Sequence, residues 1–261
     1  MTVPPIPPFP AAQALSLTEQ PPAMLLAAGR GERMRPLTDT TPKPLLQVRG
    51  QPLLQHHMQA LAQAGVRRAV VNTGWLGDQI PARFGQRFVP GTGGEPLQLG
   101  YSPEPQQALE TEGGIARALP LLGNVFWLAA GDIYTPDFDF PFQTAKAFAA
   151  SGRLAHLWLV PNPEHHPRGD FGLDDQGLAC DWPEGDARPR LTYASIALLR
   201  AELFAAPWCD IPAGNPEGLR SPLPPLLRRA MAAGQVGASL YTGRWTDVGT
   251  PQRLERLNAP G

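Results

Sequence analysis

The stretch Ala23-Met24-Leu25-Leu26-Ala27-Ala28-Gly29-Arg30-Gly31-Glu32-Arg33-Met34-Arg35-Pro36-Leu37-Thr38, closed by Pro42-Lys43-Pro44-Leu45, decides the fold. Its unbroken apolar start reads as a short strand buried on both faces. The strand ends at Gly29-Arg30-Gly31, where glycine permits a tight turn and leaves backbone N–H groups open to a ligand. Arg33, Arg35 and Lys43 then set fixed positive charge around that turn. Uncovered amides with guanidinium and ammonium groups make a cradle for a triphosphate. Two commoner phosphate motifs are excluded. No Gly-x-x-x-x-Gly-Lys-Ser/Thr run occurs, and Met34 stands where a dinucleotide fingerprint needs its third glycine.

Outward from this stretch, apolar runs alternate with helical periodicities. Pro52 opens a helix with Leu53, Leu54, His57, Met58, Leu61 and Ala64 recurring at helical spacing, and Gly65 stops it. Adjacent His56 and His57 diverge by about 100° on that helix and form no metal pair. Strands are read at 66–72, 97–101, 125–130, 154–160, 191–199 and 236–241, and further helices through 115–119, 222–233 and 251–257. Asp174-Asp175-Gln176-Gly177 signals a hairpin. This order argues an α/β fold with a mostly parallel, Rossmann-like sheet flanked by helices, and ligands beyond the carboxyl ends of its strands. The Gly29 turn and Asp132 both fall at such ends.

The composition narrows the partners. A chain of 261 residues that is 43% hydrophobic can bury a substantial core, and its formal net charge of −1 gives no global reason to bind nucleic acid. No apolar run approaches the roughly 20 residues of a membrane span. Cys180 and Cys209 are too few for a disulfide framework, which fits a reducing cytoplasm. Residues 1–22 hold seven prolines and one charged residue, Glu19, so they read as an extended, disordered arm before a domain spanning 23–261.

The motif Leu26-Ala27-Ala28-Gly29-x-Gly31-x-Arg33-x-Arg35-Pro36-Leu37-Thr38 with Pro42-Lys43-Pro44 resembles the signature of the sugar-1-phosphate nucleotidyltransferases. The resemblance is closest to their bacterial N-acetylmuramate-1-phosphate uridylyltransferase branch and runs from about Ala23 to Asn258. It implies a nucleotide-diphospho-sugar transferase fold with a small antiparallel region on the sugar side. The implied partners are UTP and a sugar 1-phosphate; the charge balance and the short apolar runs leave nucleic acid and membrane out, and a monomer is the expected assembly, which the sequence alone does not settle. The implied place is peptidoglycan recycling. Two alternatives stay open: a guanylyltransferase for mannose 1-phosphate or a heptose 1-phosphate, and a catalytically idle paralogue that binds nucleotide sugars and regulates a partner.

The chemistry assigns roles. The attacking sugar phosphate is already ionised at neutral pH, so positioning and electrostatics suffice, and Mg²⁺ held by one or two carboxylates suits the task. Asp132, after a buried strand and Gly131, is the first carboxylate and Asp247 the second; the resemblance makes them the paired metal ligands. Arg33, Lys43 and Asp132 are the expected catalytic residues. Ala27, Ala28, Gly29, Gly31, Glu32, Arg33, Lys43, Glu104, Thr111 and Gly113 are expected at the nucleotide, with Glu104 accepting from a base ring N–H. Glu110, Asn162 and Asp170 are expected at the sugar; the last two lie in Asn162-Pro163-Glu164-His165-His166-x-Arg168-Gly169-Asp170, which resembles a segment of the muramate branch. Two positions depart from that branch: Glu112 replaces a small residue in the second nucleotide loop, and Ala130 stands in place of Asn before Gly-Asp.

Overall fold

The computed structural model describes residues 15–91, 93–105, 107–183 and 185–259. Residues 1–14 of the expected arm lie outside them. In chain order the principal elements are β1 (Ala23–Ala27), α1 (Leu53–Gln63), β2 (Arg68–Thr73), β3 (Leu97–Pro103), α2 (Glu110–Ala118), β4 (Val125–Ala130), α3 (Phe142–Ser151), β5 (Ala155–Val160), β6 (Phe171–Leu173), β7 (Arg190–Arg200), α4 (Leu223–Ala232), β8 (Val236–Leu240) and α5 (Pro251–Asn258). Strands β3, β2, β1 and β4 run side by side and parallel. β7 is antiparallel to β4, β5 is antiparallel to β7, and β8 is parallel to β5. β6 and the short strand Ala179–Cys180 continue antiparallel from the start of β7. The mostly parallel sheet and its small antiparallel extension are therefore both present.

Alternation along β1 and β4 builds two apolar layers. Leu25, Ala27, Trp127 and Ala129 face one, while Met24, Phe126 and Leu128 face the other. Side chains of α1 and α3 cover the first layer, and those of α2 and α4 the second. Trp127 is fully buried, with Phe138, Phe140 and Trp158 around it at ring-centroid distances of 5.2 to 6.3 Å. Helix α3 is not among the helices expected from the sequence; Ala145, Phe148 and Ala149 form its buried face and Gly152, at φ 69°, ends it.

Residues 15–22 of the expected arm are hydrogen-bonded to the packed sheet and helix. The Leu15 N–H donates to the Ala149 carbonyl at 2.9 Å, and the Trp127 N–H to the Pro22 carbonyl at 2.9 Å. Gln20 accepts from the Trp127 indole N–H at 3.1 Å and donates to the Phe140 carbonyl at 2.7 Å. A buried indole needs an acceptor, and this segment supplies it.

Two histidines make the fold sensitive to acid. His57, on α1, is 2% exposed and donates through Nε2 to the Ile133 carbonyl at 3.0 Å. Burial holds its pKa down to about 4; burial, with Arg153 nearby, holds that of His156 to about 4 as well. The unfolded chain takes up these protons near 6.5, the folded chain only near 4, so stability is full above pH 6.5 and falls through the window below it. Between pH 7 and 5 the loss from His57 is about 2 kcal/mol. Urea midpoints at the two pH values check this. His57→Gln keeps a donor for Ile133 and should lose the His57 share of the dependence; an unchanged slope would contradict it.

Candidate active site

The turn after β1 is built by backbone and braced by side chains. Gly31 has φ 66°, and a Cβ there would lie 3.1 Å from Thr38 Cγ2 and 3.3 Å from Lys43 Cβ. A Cβ at Gly29 would meet nothing within 4 Å, so that glycine borders open space. Arg30 donates to the Thr38 carbonyl and to Asp39, each at 2.8 Å, and lies 3.8 Å over the Trp75 ring. Arg35 reaches the same Asp39 oxygen at 2.9 Å. These arginines, Arg30 foremost, hold the Asp39 carboxyl below its ordinary range. Both therefore brace the loop, whereas Arg33 has no side-chain partner among the described residues and lines the cavity.

That cavity, about 580 Å³, opens at the carboxyl ends of β1, β2 and β4. Its walls include Ala27, Ala28, Gly29, Gly31, Glu32, Arg33, Lys43, Glu104, Glu110, Thr111 and Asp132, all expected from the sequence. Four other expected residues, Gly113, Asn162, Asp170 and Asp247, are not among its walls. Gly113 faces the 215–221 segment: a Cβ there would lie 2.4 Å from the Leu219 carbonyl, and its own carbonyl accepts from Asn215 at 3.0 Å. Asn162 is occupied by the Pro167 and Arg190 carbonyls and by Thr192. Asp170 accepts from Tyr193 N–H at 2.8 Å and lies 3.0 Å from His166 Nε2. These two fasten the polar loop to β7, because a loop rich in backbone groups needs local partners.

Lys43 Nζ meets Asp132 Oδ2 at 2.7 Å; the lysine side chain is 9% exposed and the aspartate 42%. Asp247 arrives from the far end of the chain. Thr246–Asp247 pairs antiparallel with Ile133–Tyr134, and Val248 N–H donates to the Asp132 carbonyl at 3.0 Å. Asp247 is not itself a cavity wall, but Gly249 is, and a Cβ at Gly249 would lie 2.9 Å from Asp247 Oδ1. Arg253 of α5 donates to Asp247 Oδ2 at 2.6 Å and to its carbonyl at 2.9 Å, and His165 Nε2 lies 3.5 Å from Oδ2. The described residues hold no group of three or more His, Cys, Asp or Glu able to cage a metal. The carboxylates of Asp132, in the cavity wall, and Asp247, beside it, are the hard oxygen donors that an ion such as Mg²⁺ takes.

Other cavity walls carried no sequence signal. Asn72 is 3% exposed, accepts from the Ala27 N–H at 2.6 Å and donates to Glu104 Oε1 at 2.7 Å. The Ala27 N–H is thus taken up by Asn72, while Ala27 itself stays in the cavity wall. Leu223, Pro224 and Leu227 of α4 add an apolar wall, and Tyr193 and Ser195 come from β7. Ser195 has φ 58° where the pairing of β7 with β5 shifts register, and Glu110 has φ 61° at the start of α2; both are strained, and both line the cavity. Of the two departures, Glu112 turns away, 4% exposed and accepting from Ser221 at 2.7 Å, while Ala130 stays in the wall.

Residues 23–166 match the MobA-like NTP transferase domain family. The chain is 45% identical over 240 residues to the N-acetylmuramate alpha-1-phosphate uridylyltransferase of Neisseria meningitidis serogroup B, covering 91% of this chain and 96% of that protein. It is 34% identical to the protein of that name from Caulobacter vibrioides, covering 88% and 92%. In fold it is similar to the inositol-1-phosphate CTP transferase from T. maritima, with a TM-score of 0.69 at 16% identity over 92% of this chain and 95% of that one. The glycine turn after β1, the cavity beyond the parallel strands and the extent of these likenesses agree, and the chain belongs to the sugar-1-phosphate nucleotidyltransferases within the MobA-like NTP transferase family.

Proposed function

We propose that this protein joins UTP to N-acetylmuramic acid 1-phosphate, releasing pyrophosphate and UDP-N-acetylmuramic acid, in the recycling of cell-wall sugars in the cytoplasm. The observation that carries the substrate assignment is the 45% identity over nearly the full length of the Neisseria relative. The cavity's apolar wall of Leu223, Pro224 and Leu227 supports it too, because this sugar bears methyl groups on its acetamido and lactyl substituents.

In the reaction a sugar-phosphate oxygen attacks the α-phosphorus of UTP; the new O–P bond forms as the bond to the pyrophosphate oxygen breaks. Gly29, Gly31 and Arg33 hold the leaving phosphates, the arginine in a bidentate fork. Lys43 meets the phosphates at the point of transfer and balances the charge that accumulates there. Asp132 and Asp247 would hold Mg²⁺, which when bound neutralises phosphate charge and orients the two anions. Arg253 keeps Asp247 in place, and Lys43 does the same for Asp132. Glu104 accepts from a ring N–H of the base. Glu110 and Thr111, at the start of α2, border the sugar and nucleotide respectively. No covalent enzyme intermediate is required.

The test is pyrophosphate release from UTP, GTP, CTP and ATP against the 1-phosphates of N-acetylmuramic acid, glucose and mannose. Turnover is expected with UTP and the muramate sugar. Equal turnover with glucose or mannose phosphate would remove the sugar assignment, and a preference for GTP would remove the base assignment.

A further inference from the structure

Asn72 lies near the end of β2, opposite Leu26 of β1 and Ser102 of β3, and its side chain enters the cavity wall. The chemistry of its partners fixes which way its amide points. A backbone N–H can only donate and an ionised carboxylate can only accept. Asn72 Oδ1 therefore takes the Ala27 N–H at 2.6 Å, and Nδ2 donates to Glu104 Oε1 at 2.7 Å. The second oxygen, Glu104 Oε2, receives the Leu109 N–H at 2.9 Å. Each carboxylate oxygen thus has one protein donor and a remaining lone pair for a ligand. Gly114 closes the arrangement from α2: a Cβ there would lie 2.5 Å from Glu104 Oε1 and 3.2 Å from Asn72 Nδ2.

One buried side chain thereby does two things at the edge of the cavity. It holds Glu104 in place as an acceptor, and it occupies the Ala27 N–H, a donor of the cavity wall on β1. We propose that Asn72 is a positioning residue that sets base choice, so that the pocket accepts a base with a ring N–H at this place and rejects one with a ring lone pair. Uracil presents N3–H there and cytosine an N3 lone pair; guanine and adenine differ in the same way at N1. A lone pair set against a fixed carboxylate has no hydrogen to share and is repelled. With Asn72 removed, Glu104 can turn aside and the freed Ala27 N–H offers the lone pair a partner.

This inference rests on the reading that the cavity takes UTP, and its test separates the two. Pyrophosphate release by the full chain is measured with UTP, CTP, GTP and ATP for the wild type, Asn72→Ala and Gly114→Ala. Asn72→Ala is expected to raise KM for UTP about tenfold, to leave kcat within about threefold, and to lower the UTP-over-CTP ratio of kcat/KM at least about tenfold. Gly114→Ala is expected to lower the same ratio, because the added methyl meets the Glu104 carboxylate and not backbone, and so pushes that acceptor out of its held position. A residue that merely supported the fold would lower the melting temperature and the active fraction while leaving KM and the ratio in place. An unchanged ratio in both variants overturns the proposal. If Asn72→Ala does not fold, Gly114→Ala decides alone. A wild type that prefers GTP would overturn the uridylyl reading, and the inference would then stand or fall on whether these variants lower the GTP-over-ATP ratio.

Discussion

Asp132→Asn is expected to lower kcat for pyrophosphate release by about a thousandfold while the protein melts close to the wild-type temperature. The two halves of that expectation have separate causes. Asparagine keeps a carbonyl oxygen that can accept from Lys43 Nζ, now 2.7 Å from Asp132 Oδ2, so the fold keeps its contact. What it loses is the negative charge proposed to hold a divalent ion against the phosphates. The backbone there does not depend on the side chain: Gly131 N–H donates to the Leu26 carbonyl at 2.8 Å, and a Cβ at Gly131 would lie 2.7 Å from that same oxygen. Asp132→Ala would add a stability cost of about 1–3 kcal/mol, because it leaves a lysine that is 9% exposed without its acceptor. An Asn variant that keeps a tenth of wild-type turnover would exclude Asp132 from the chemistry. Steady-state rates at saturating UTP and sugar phosphate, beside a melting curve, measure both quantities.

Lys43→Met is expected to lower kcat by about 10²- to 10³-fold. Methionine matches the four-atom apolar stem of lysine, with sulfur in place of Cδ, and lacks the ammonium group. Its partner Asp132 is 42% exposed and can be hydrated, so the change in stability stays at about 1 kcal/mol or less. Lys43→Arg is not expected to restore the rate. The lysine stem is confined beside Gly31, whose Cβ position lies 3.3 Å from Lys43 Cβ, and a planar guanidinium does not replace a compact point charge there. Turnover within tenfold of wild type in Lys43→Met would show that the cation acts on the fold and not on the transferred phosphate.

The pairing of Lys43 with Asp132, and of Arg253 with Asp247, gives both acidic residues proposed to bind the metal a cation of their own. Such a site is nearly neutral before its substrates arrive, and its donors are oriented in advance. Asp247 depends on this more heavily, since it sits on a two-residue strand near the end of the chain and α5 fixes it through Arg253. Helix α5 is fastened in turn by Asn258, which accepts from the Arg49 N–H at 2.7 Å and donates to the Gln47 carbonyl at 2.9 Å.

The sequence by itself determined whatever depends on neighbours along the chain. The apolar runs of β1 and β4 marked buried strands, Gly29-x-Gly31 marked the turn that lines the cavity, and Gly131-Asp132 marked a carboxylate at a strand end. Periodicity is a local property, so it survives in one dimension. Only the tertiary structure decided what lies between elements. Asn72 looks like any strand residue until β1, β2 and β3 are laid side by side, when its amide is found to join Ala27 to Glu104. Asp170 and Asn162 look free in a polar loop until the start of β7 takes up their hydrogen bonds. Arg253 gains meaning only when α5 is docked beside Asp247. For Asn72, Asn162 and Asp170 the partners lie 23 to 45 residues away in sequence, and no spacing rule records which distant group a polar side chain will meet.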